Sequence, residues 1–315
     1  MHYVIGDVHG CYDELMVLIN KIEATDSEAR FILVGDLIDR GPKVWEVLQW
    51  ALKNITPEGK YQCVRGNHEQ LALEWWEYYK KWYTYDKDVR WKPFSDYDIA
   101  GKLYQYIQPT GEEGQHAPED FQELVDFWNS LPYSKQLTVR AESGREVVYR
   151  IVHAWYDYDI GEDTEEQHEI NLFERECAGN RSNKDEIIVF GHTPTCSERF
   201  GNGRGADRPG MICYRENAIN VDCGCVFGKH RSEYPCMLGA ICLENLEEIY
   251  PFDWKERMLE LNRSKNELLP TVEAREKAEK LIGYYYAEYL KEGQWRSTAR
   301  WNMLRKLGVL PQNRR

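Results

Sequence analysis

Short apolar runs and amphipathic segments alternate through the first third of the chain. Residues 2–5, 31–34 and 61–64 are apolar runs that predict strands, and each is followed by glycine and polar residues. Between them, 12–23 carries leucine and isoleucine at helical spacing and 44–52 predicts a second helix. The β-α-β-α-β order favours a parallel sheet, whose ligands collect at the carboxyl ends of the strands.

The second half of the chain alternates less regularly between strand and helix. The apolar segments that predict further strands are 147–152, 187–190, 220–222, 238–243 and 247–250. Because few helical segments separate the later ones, we expect a second, more antiparallel sheet packed on the first.

Two regions depart from this pattern and predict additional helices. Residues 75–106 hold twelve aromatic side chains, several at helical spacing, and predict a helical, aromatic-rich insertion at about 75–125. This insertion would be either a cap with its own small core or an aromatic wall over the active site. After Pro251 the pattern is helical, so we expect a catalytic domain over 1–250 and a helical extension over 251–315.

The composition limits which partners we expect the chain to bind and indicates the redox state of its compartment. The formal net charge of −13 disfavours binding to nucleic acid or to an anionic membrane surface. Nine scattered cysteines favour a reducing compartment over a disulfide framework, and they predict buried, reduced thiols. With no secretory pattern at the start and no apolar stretch of about 18 residues, we expect a soluble, cytoplasmic protein.

Polar residues that could bind metal ions follow the predicted strands. They are Asp7, His9, Asp36, Asn67, His153 and His192. Six oxygen and nitrogen donors exceed what one divalent ion with open positions uses, and they suit two ions that share a carboxylate. Asp36 is the natural shared ligand. Manganese, iron or zinc fits such mixed carboxylate and imidazole ligation, and no cysteine belongs to the set.

Three further residues beside these ligands suit phosphoryl chemistry. Arg40 has the planar guanidinium that binds two phosphate oxygens. His68 can protonate a leaving oxygen as a general acid, and Asp39 can orient it. The nucleophile needs no side chain, because a water between two metal ions has its pKa lowered towards neutrality.

The motifs themselves resemble a known family. Gly6-Asp7-Val8-His9-Gly10, Gly35-Asp36-Leu37-Ile38-Asp39-Arg40-Gly41 and Gly66-Asn67-His68-Glu69 resemble the signatures of the phosphoprotein-phosphatase branch of the calcineurin-like metallophosphoesterases. The stretches 153–155 and 220–224 look more like its bacterial and phage-type serine/threonine phosphatases, which are related to the diadenosine tetraphosphatases.

The resemblance covers about residues 1–250 and implies a fold and a ligand set. The implied fold is α/β, a metallophosphatase β-sandwich of two mixed sheets flanked by helices, here with a helical insertion and a helical C-terminal extension. It implies that Asp7, His9 and Asp36 hold one metal ion, and that Asp36, Asn67, His153 and His192 hold the other. Arg40 would bind phosphate, and His68 with Asp39 would form the acid pair.

The expected function is hydrolysis of phosphomonoesters by in-line attack of a metal-bridging hydroxide. The substrate would be phosphoserine or phosphothreonine in a protein, or a small phosphoester. The alternative is a bis(5'-nucleosyl)-tetraphosphatase, since the aromatic insertion could stack on adenine. A non-catalytic binding module is disfavoured because all motif residues are present. Candidates for a second phosphate-binding arginine are Arg150, Arg199, Arg204 and Arg208.

Overall fold

Two five-stranded mixed sheets face each other across a layer of apolar side chains. The computed structural model describes residues 1–85, 121–175, 185–197, 208–215, 217–228, 234–253, 257, 303–304 and 306–308. The strands are β1 (His2–Ile5), β2 (Arg30–Leu33), β3 (Tyr61–Cys63), β4 (Ser134–Arg140), β5 (Glu146–Val152), β6 (Glu186–Phe190), β7 (Cys213–Arg215), β8 (Ala218–Asn220), β9 (Ala240–Cys242) and β10 (Glu248–Ile249). The helices are α1 (Tyr12–Glu23), α2 (Val44–Asn54), α3 (Asn67–Tyr85), α4 (Gln122–Ser130) and α5 (Glu165–Phe173), with a 3₁₀ helix at Cys225–Phe227.

Strand pairing places five loops at neighbouring strand ends. The first sheet has the order β10-β9-β1-β2-β3, in which β1, β2 and β3 are parallel and β9 runs antiparallel to β1. The second has the order β4-β5-β6-β8-β7, in which β5, β6 and β8 are parallel and the edge strands β4 and β7 are antiparallel. The parallel strands of each sheet therefore end at one edge, where their loops can meet.

The alternation of side chains in β1 shows how the layers form. Tyr3 and Ile5 join the apolar cluster that contains the buried faces of α1 and α2. Val4 points the other way and packs with Tyr149 and Ile219 of the second sheet. Successive side chains of a strand point to opposite faces, so a strand that is apolar throughout is covered on both. The first sheet consequently lies between helices and the second sheet.

The predicted architecture is confirmed, with local corrections. The segment 220–222 is not the eighth strand, which lies at Ala218–Asn220, so Asp222 is in the loop that follows. The segments near 238–243 and 247–250 contain β9 and β10, which join the first sheet rather than the second. Strand β4 was missed because it is a half-exposed edge strand with a polar sequence; such strands lack the apolar signal.

The predicted insertion and extension fall largely outside the described residues, which omit 86–120 and most of 254–315. In the described part, Trp75, Trp76 and Phe121 belong to the same apolar cluster as β1 and α1, not to a separate core. Near the C-terminus, Met303 and Leu307 are buried in the layer between the sheets. The domain boundary at 250 stays a prediction. Among the described residues, no helix has the length and apolar character needed to cross a membrane.

Candidate metal centre

The predicted metal ligands meet at the carboxyl ends of five strands. Asp7 follows β1, Asp36 follows β2, and Asn67 begins α3 just after β3. His153 follows β5 and His192 follows β6, so both sheets contribute. All six predicted ligands are buried, including His9, which is 3% exposed.

Asp36 lies between two groups of histidines. Its Oδ2 is 3.3 Å from His9 Nε2, and its Oδ1 is 3.4 Å from His153 Nε2. In the described part of the chain, ligand atoms of His9, Asp36 and His68 lie within 4.8 Å of one another, and so do those of Asp36, His153 and His192. The carboxylate therefore turns one oxygen towards each group, which is the arrangement that a shared ligand requires.

In the second group, the acceptor atoms of His153, Asn67 and His192 face one another. His153 Nδ1 donates to the carbonyl oxygen of Val34 at 2.8 Å, which leaves Nε2 of the neutral ring as an acceptor. That Nε2 lies 2.9 Å from Asn67 Oδ1 and 3.1 Å from His192 Nδ1. Asn67 Oδ1 is also 2.9 Å from His192 Nδ1. A cation among these acceptors would satisfy them together, and the donor set of oxygen and imidazole nitrogen fits a divalent transition ion.

In the first group, too, a histidine donates its Nδ1 proton to a backbone carbonyl oxygen. His9 Nδ1 donates to the carbonyl oxygen of Ile38 at 2.7 Å, so its Nε2 carries the lone pair, 2.5 Å from Arg40 Nη1 and 3.3 Å from Asp36 Oδ2. Burial lowers the pKa of His9 to about 3, and burial also lowers the pKa of His153 and His192. The three rings are thus neutral near pH 7, the form in which imidazole binds metal ions.

The loops reach these positions through unusual backbone conformations. His9, Asp36 and His192 have positive φ angles of 43°, 50° and 65°. Non-glycine residues adopt this region at an energetic cost, and they do so most often at functional sites. Gly191 permits a close approach, because a Cβ atom there would lie 2.1 Å from Asp7 Oδ1. The backbone N–H of His192 donates to both oxygens of Asp7, at 3.2 and 3.1 Å.

Arg40, His68 and Asp39 form a contiguous chain beside the two groups. His68 Nδ1 is 2.5 Å from Asp39 Oδ2, and its Nε2 is 2.8 Å from Arg40 Nη2. Arg40 Nη1 is 2.5 Å from His9 Nε2, and this arginine is exposed whereas the other two are buried. Asp39 thus orients the imidazole, and the guanidinium lies at the opening of the site.

Glu69, the last residue of the third motif, accepts backbone hydrogen bonds from two loops of the site. One carboxylate oxygen accepts from the N–H groups of Asp36 at 2.9 Å and Gly66 at 3.0 Å, and the other accepts from Leu37 at 2.8 Å. It is fully buried, and burial raises its pKa to about 7. Glu69 therefore ties the loop after β2 to the loop after β3, and its only sequence signal was its place next to His68.

Asp222 and Arg175 are further neighbours of the site that sequence reasoning did not assign. Asp222 is buried beside Asp7, and burial raises the pKa of the Asp222 carboxyl group to about 7. Arg175 places a positive charge that lowers the pKa of both His153 and His192. Neither residue belongs to one of the three motifs. The stretch 220–224 contains Asp222 and resembles bacterial and phage-type phosphatases, but the resemblance implies no role for this residue.

Two of the candidates for a second phosphate-binding arginine pair with acidic side chains. Arg150 pairs with Glu162 and Glu186, and Arg208 pairs with Glu248. Arg199 and Arg204 fall outside the described residues. Burial is the main cause of the lowered pKa of His153 and His192, and the positive charge of Arg175 lowers both further.

Comparison with known proteins identifies the family. The family model for calcineurin-like phosphoesterases matches residues 3–217. The chain belongs to the calcineurin-like phosphoesterase family. Its members are metal-dependent phosphoesterases with a binuclear divalent metal centre, and the two histidine groups around Asp36 agree with such a centre.

Similar proteins include curated enzymes and solved structures. This calcineurin-like phosphoesterase is 43% identical over 72 residues to a symmetrical bis(5'-nucleosyl)-tetraphosphatase of Neisseria gonorrhoeae (strain ATCC 700825 / FA 1090), covering 23% of this chain and 25% of that protein. It is 45% identical over 71 residues to the enzyme of the same name from Escherichia coli (strain K12 / DH10B), covering 22% and 24%. The match thus spans only about a quarter of these relatives.

The solved structures cover more of the chain at lower identity. A metallophosphoesterase from Sphaerobacter thermophilus is 15% identical with a TM-score of 0.40, covering 90% of this chain and 96% of that one. A cold-active protein-tyrosine phosphatase of a Shewanella species is 19% identical with a TM-score of 0.42, covering 79% and 77%.

Proposed function

We propose that this chain hydrolyses phosphomonoesters, with phosphoserine or phosphothreonine of proteins as the substrate class. The observation that carries the proposal is the position of Asp36, which turns one oxygen towards His9 and the other towards His153. One metal ion would be held by Asp7, His9 and Asp36. The other would be held by Asp36 together with Asn67, His153 and His192. Manganese, iron and zinc all fit these ligands.

The protein's own residues would bind the phosphate and supply a proton. Divalent ions at the two groups supply Lewis acidity towards the phosphoryl group and water. Arg40, exposed at the opening, offers two N–H groups to phosphate oxygens. These same groups contact His9 and His68 in this structure. When a phosphate takes them, His68 Nε2 is free to carry a proton to the leaving oxygen, while Asp39 holds Nδ1.

A second positive charge would complete the phosphate site. Arg175 already acts electrostatically on His153 and His192. We propose it as the second phosphate-binding arginine. Together with Arg40, it would neutralise charge that develops on the non-bridging oxygens of the phosphate.

Replacement of His68 tests the acid role. His68→Asn should leave the metal content near the wild-type value and reduce turnover by a factor of about 10² or more. The control is His168→Asn, because His168 stacks on Tyr133 with ring centroids 3.8 Å apart and belongs to neither histidine group. An equal loss of metal and activity in His68→Asn would overturn the assignment of His68 as the acid.

Hydrolysis of diadenosine tetraphosphate is a second candidate function. It is favoured by the 43–45% identity of 71–72 residues to enzymes named symmetrical bis(5'-nucleosyl)-tetraphosphatase. A competition assay separates the two: the manganese-loaded protein receives a phosphothreonine peptide and diadenosine tetraphosphate together. Inorganic phosphate with the dinucleotide intact supports the phosphomonoesterase, whereas earlier release of ADP would replace it with the dinucleotide hydrolase.

A further inference from the structure

Two thiols from distant parts of the chain lie close together. Cys11 precedes the first residue of α1, and Cys225 begins the 3₁₀ helix Cys225–Phe227. Their sulfur atoms lie within 4.8 Å of each other. Both are buried, at 5% and 7% exposure. A carboxylate oxygen of Glu14 joins them, so that the two sulfur atoms and this oxygen all lie within 4.8 Å of one another.

This spacing is what a tetrahedral zinc site requires. Zinc–sulfur bonds of about 2.3 Å and zinc–oxygen bonds of about 2.1 Å place two sulfur ligands about 3.8 Å apart, and sulfur and oxygen about 3.6 Å apart. Three ligands already within 4.8 Å can reach these separations by small side-chain movements. Glu14 is half-buried, so a water molecule can occupy the fourth position from its side.

In the metal-free protein, contact with Cys11 and burial raise the pKa of the Cys225 thiol well above its usual value, so thiolate ligands would form here only together with a bound cation. The N-terminus of α1 would assist that deprotonation. Cys11 is the N-cap residue of α1, a helix of 12 residues, and Glu14 lies in its first turn. The first N–H groups of a helix carry partial positive charge, which stabilises thiolate and carboxylate groups next to them. Binding would release the two thiol protons to solvent and leave two thiolates and one carboxylate around the divalent ion.

We propose that Cys11, Glu14 and Cys225 form a zinc-binding site separate from the binuclear centre. A zinc ion bound at this site would link the loop that contains Asp7 and His9 to the segment that follows Asp222. It would thus join two pieces of chain that are more than two hundred residues apart, and Cys11 lies two positions after the predicted ligand His9.

A second thiol pair provides a matched control. Cys196 and Cys236 are also buried and also in contact with each other. Among the described residues, however, no third cysteine, histidine or acidic side chain has a ligand atom within 4.8 Å of both of these sulfur atoms. The two pairs are thus alike in their burial and in the contact between their thiols. Among the described residues, Glu14 supplies a third ligand atom to Cys11 and Cys225 but none is supplied to Cys196 and Cys236.

Cobalt absorption tests the site without relying on activity. The metal-free full-length chain, kept reduced and under nitrogen, is titrated with Co²⁺. Ligands of the binuclear centre are oxygen and nitrogen, so a near-ultraviolet sulfur-to-cobalt charge-transfer band reports only thiolate ligation. We expect the band in the wild type, its loss on adding Zn²⁺, and one metal equivalent more than in the variant Cys11→Ser/Cys225→Ser.

The variants decide between the two pairs. The band should be absent from Cys11→Ser/Cys225→Ser and retained by Cys196→Ser/Cys236→Ser, and Glu14→Gln should weaken Co²⁺ binding by about tenfold or more. A wild-type protein without the band would overturn the proposal even if a variant fails to fold. A band that survives in Cys11→Ser/Cys225→Ser, or is lost only with Cys196 and Cys236, would overturn it as well.

Discussion

Gly191→Ala is a minimal change that should disable one half of the metal centre. The added Cβ would lie 2.1 Å from Asp7 Oδ1 and 2.7 Å from Val34 Cγ2, whereas real Cβ atoms essentially never approach another atom within 3.0 Å. Rotation of Val34 can relieve the second contact. The first can be relieved only by moving the Asp7 carboxylate or the His192 loop by about 0.9 Å. Gly191 does not have a positive φ angle, so the backbone itself accepts alanine and the clash is the only penalty.

The displacement is large on the scale of metal coordination. Ligand distances are held to about 0.2 Å, so a shift of about 0.9 Å removes Asp7 from its coordination position. A misplacement of about 1 Å at a reacting centre costs about 10²-fold in rate. Moving the carboxylate also weakens the hydrogen bonds at 3.1 and 3.2 Å from the His192 N–H, at about 2 kcal/mol for the metal-free protein.

Metal analysis and kinetics together give the assay. After manganese loading and desalting, Gly191→Ala should lose about one metal equivalent per chain, and turnover of a phosphothreonine peptide should fall about 10²-fold. Gly161→Ala is the matched control, because its Cβ would meet only Thr164 Cγ2, at 3.3 Å. A folded Gly191→Ala protein with wild-type metal content and turnover within twofold of wild type would refute the reasoning about Asp7.

Three further changes probe the site and the fold. Asp36→Asn should lose both metal ions, since its two oxygens face different histidine groups; one full equivalent retained on metal analysis would contradict a shared ligand. Asp39→Asn should lower kcat about 10- to 100-fold with little effect on KM or metal content, because Asp39 Oδ2 orients His68 through its Nδ1; a selective rise in KM would argue for substrate binding instead. Burial raises the pKa of Glu244, but hydrogen bonds from His2 outweigh it and hold the pKa below its usual value. The stability that this carboxylate contributes is therefore present above about pH 4.5 and is lost as pH falls through the pKa of the folded state. Glu244→Gln should lower the free energy of unfolding in urea by about 1 kcal/mol at pH 7 and by less at pH 3.5. Equal losses at both pH values would count against this reasoning.

Much of the fold was predictable because its signals are local. The apolar runs of β1, β2 and β3 and the amphipathic pattern of α1 were correctly predicted, and α1 matches its predicted bounds of 12–23. Edge strands such as β4 lack that signal because one side faces solvent. The pairing of β9 with β1 joins residues more than two hundred positions apart, so no local pattern could assign it to the first sheet.

The sequence by itself determined which side chains follow the strands, and the parallel order of β1, β2 and β3 determined that their loops share an edge. Only the tertiary structure decided how these loops meet: which oxygen of Asp36 faces His9 and which faces His153. It also brought in residues without a motif of their own, such as Asp222 against Asp7 and Cys225 against Cys11. The physical reason is that periodicity encodes which face of an element is buried, whereas contacts between distant loops depend on how the two sheets pack.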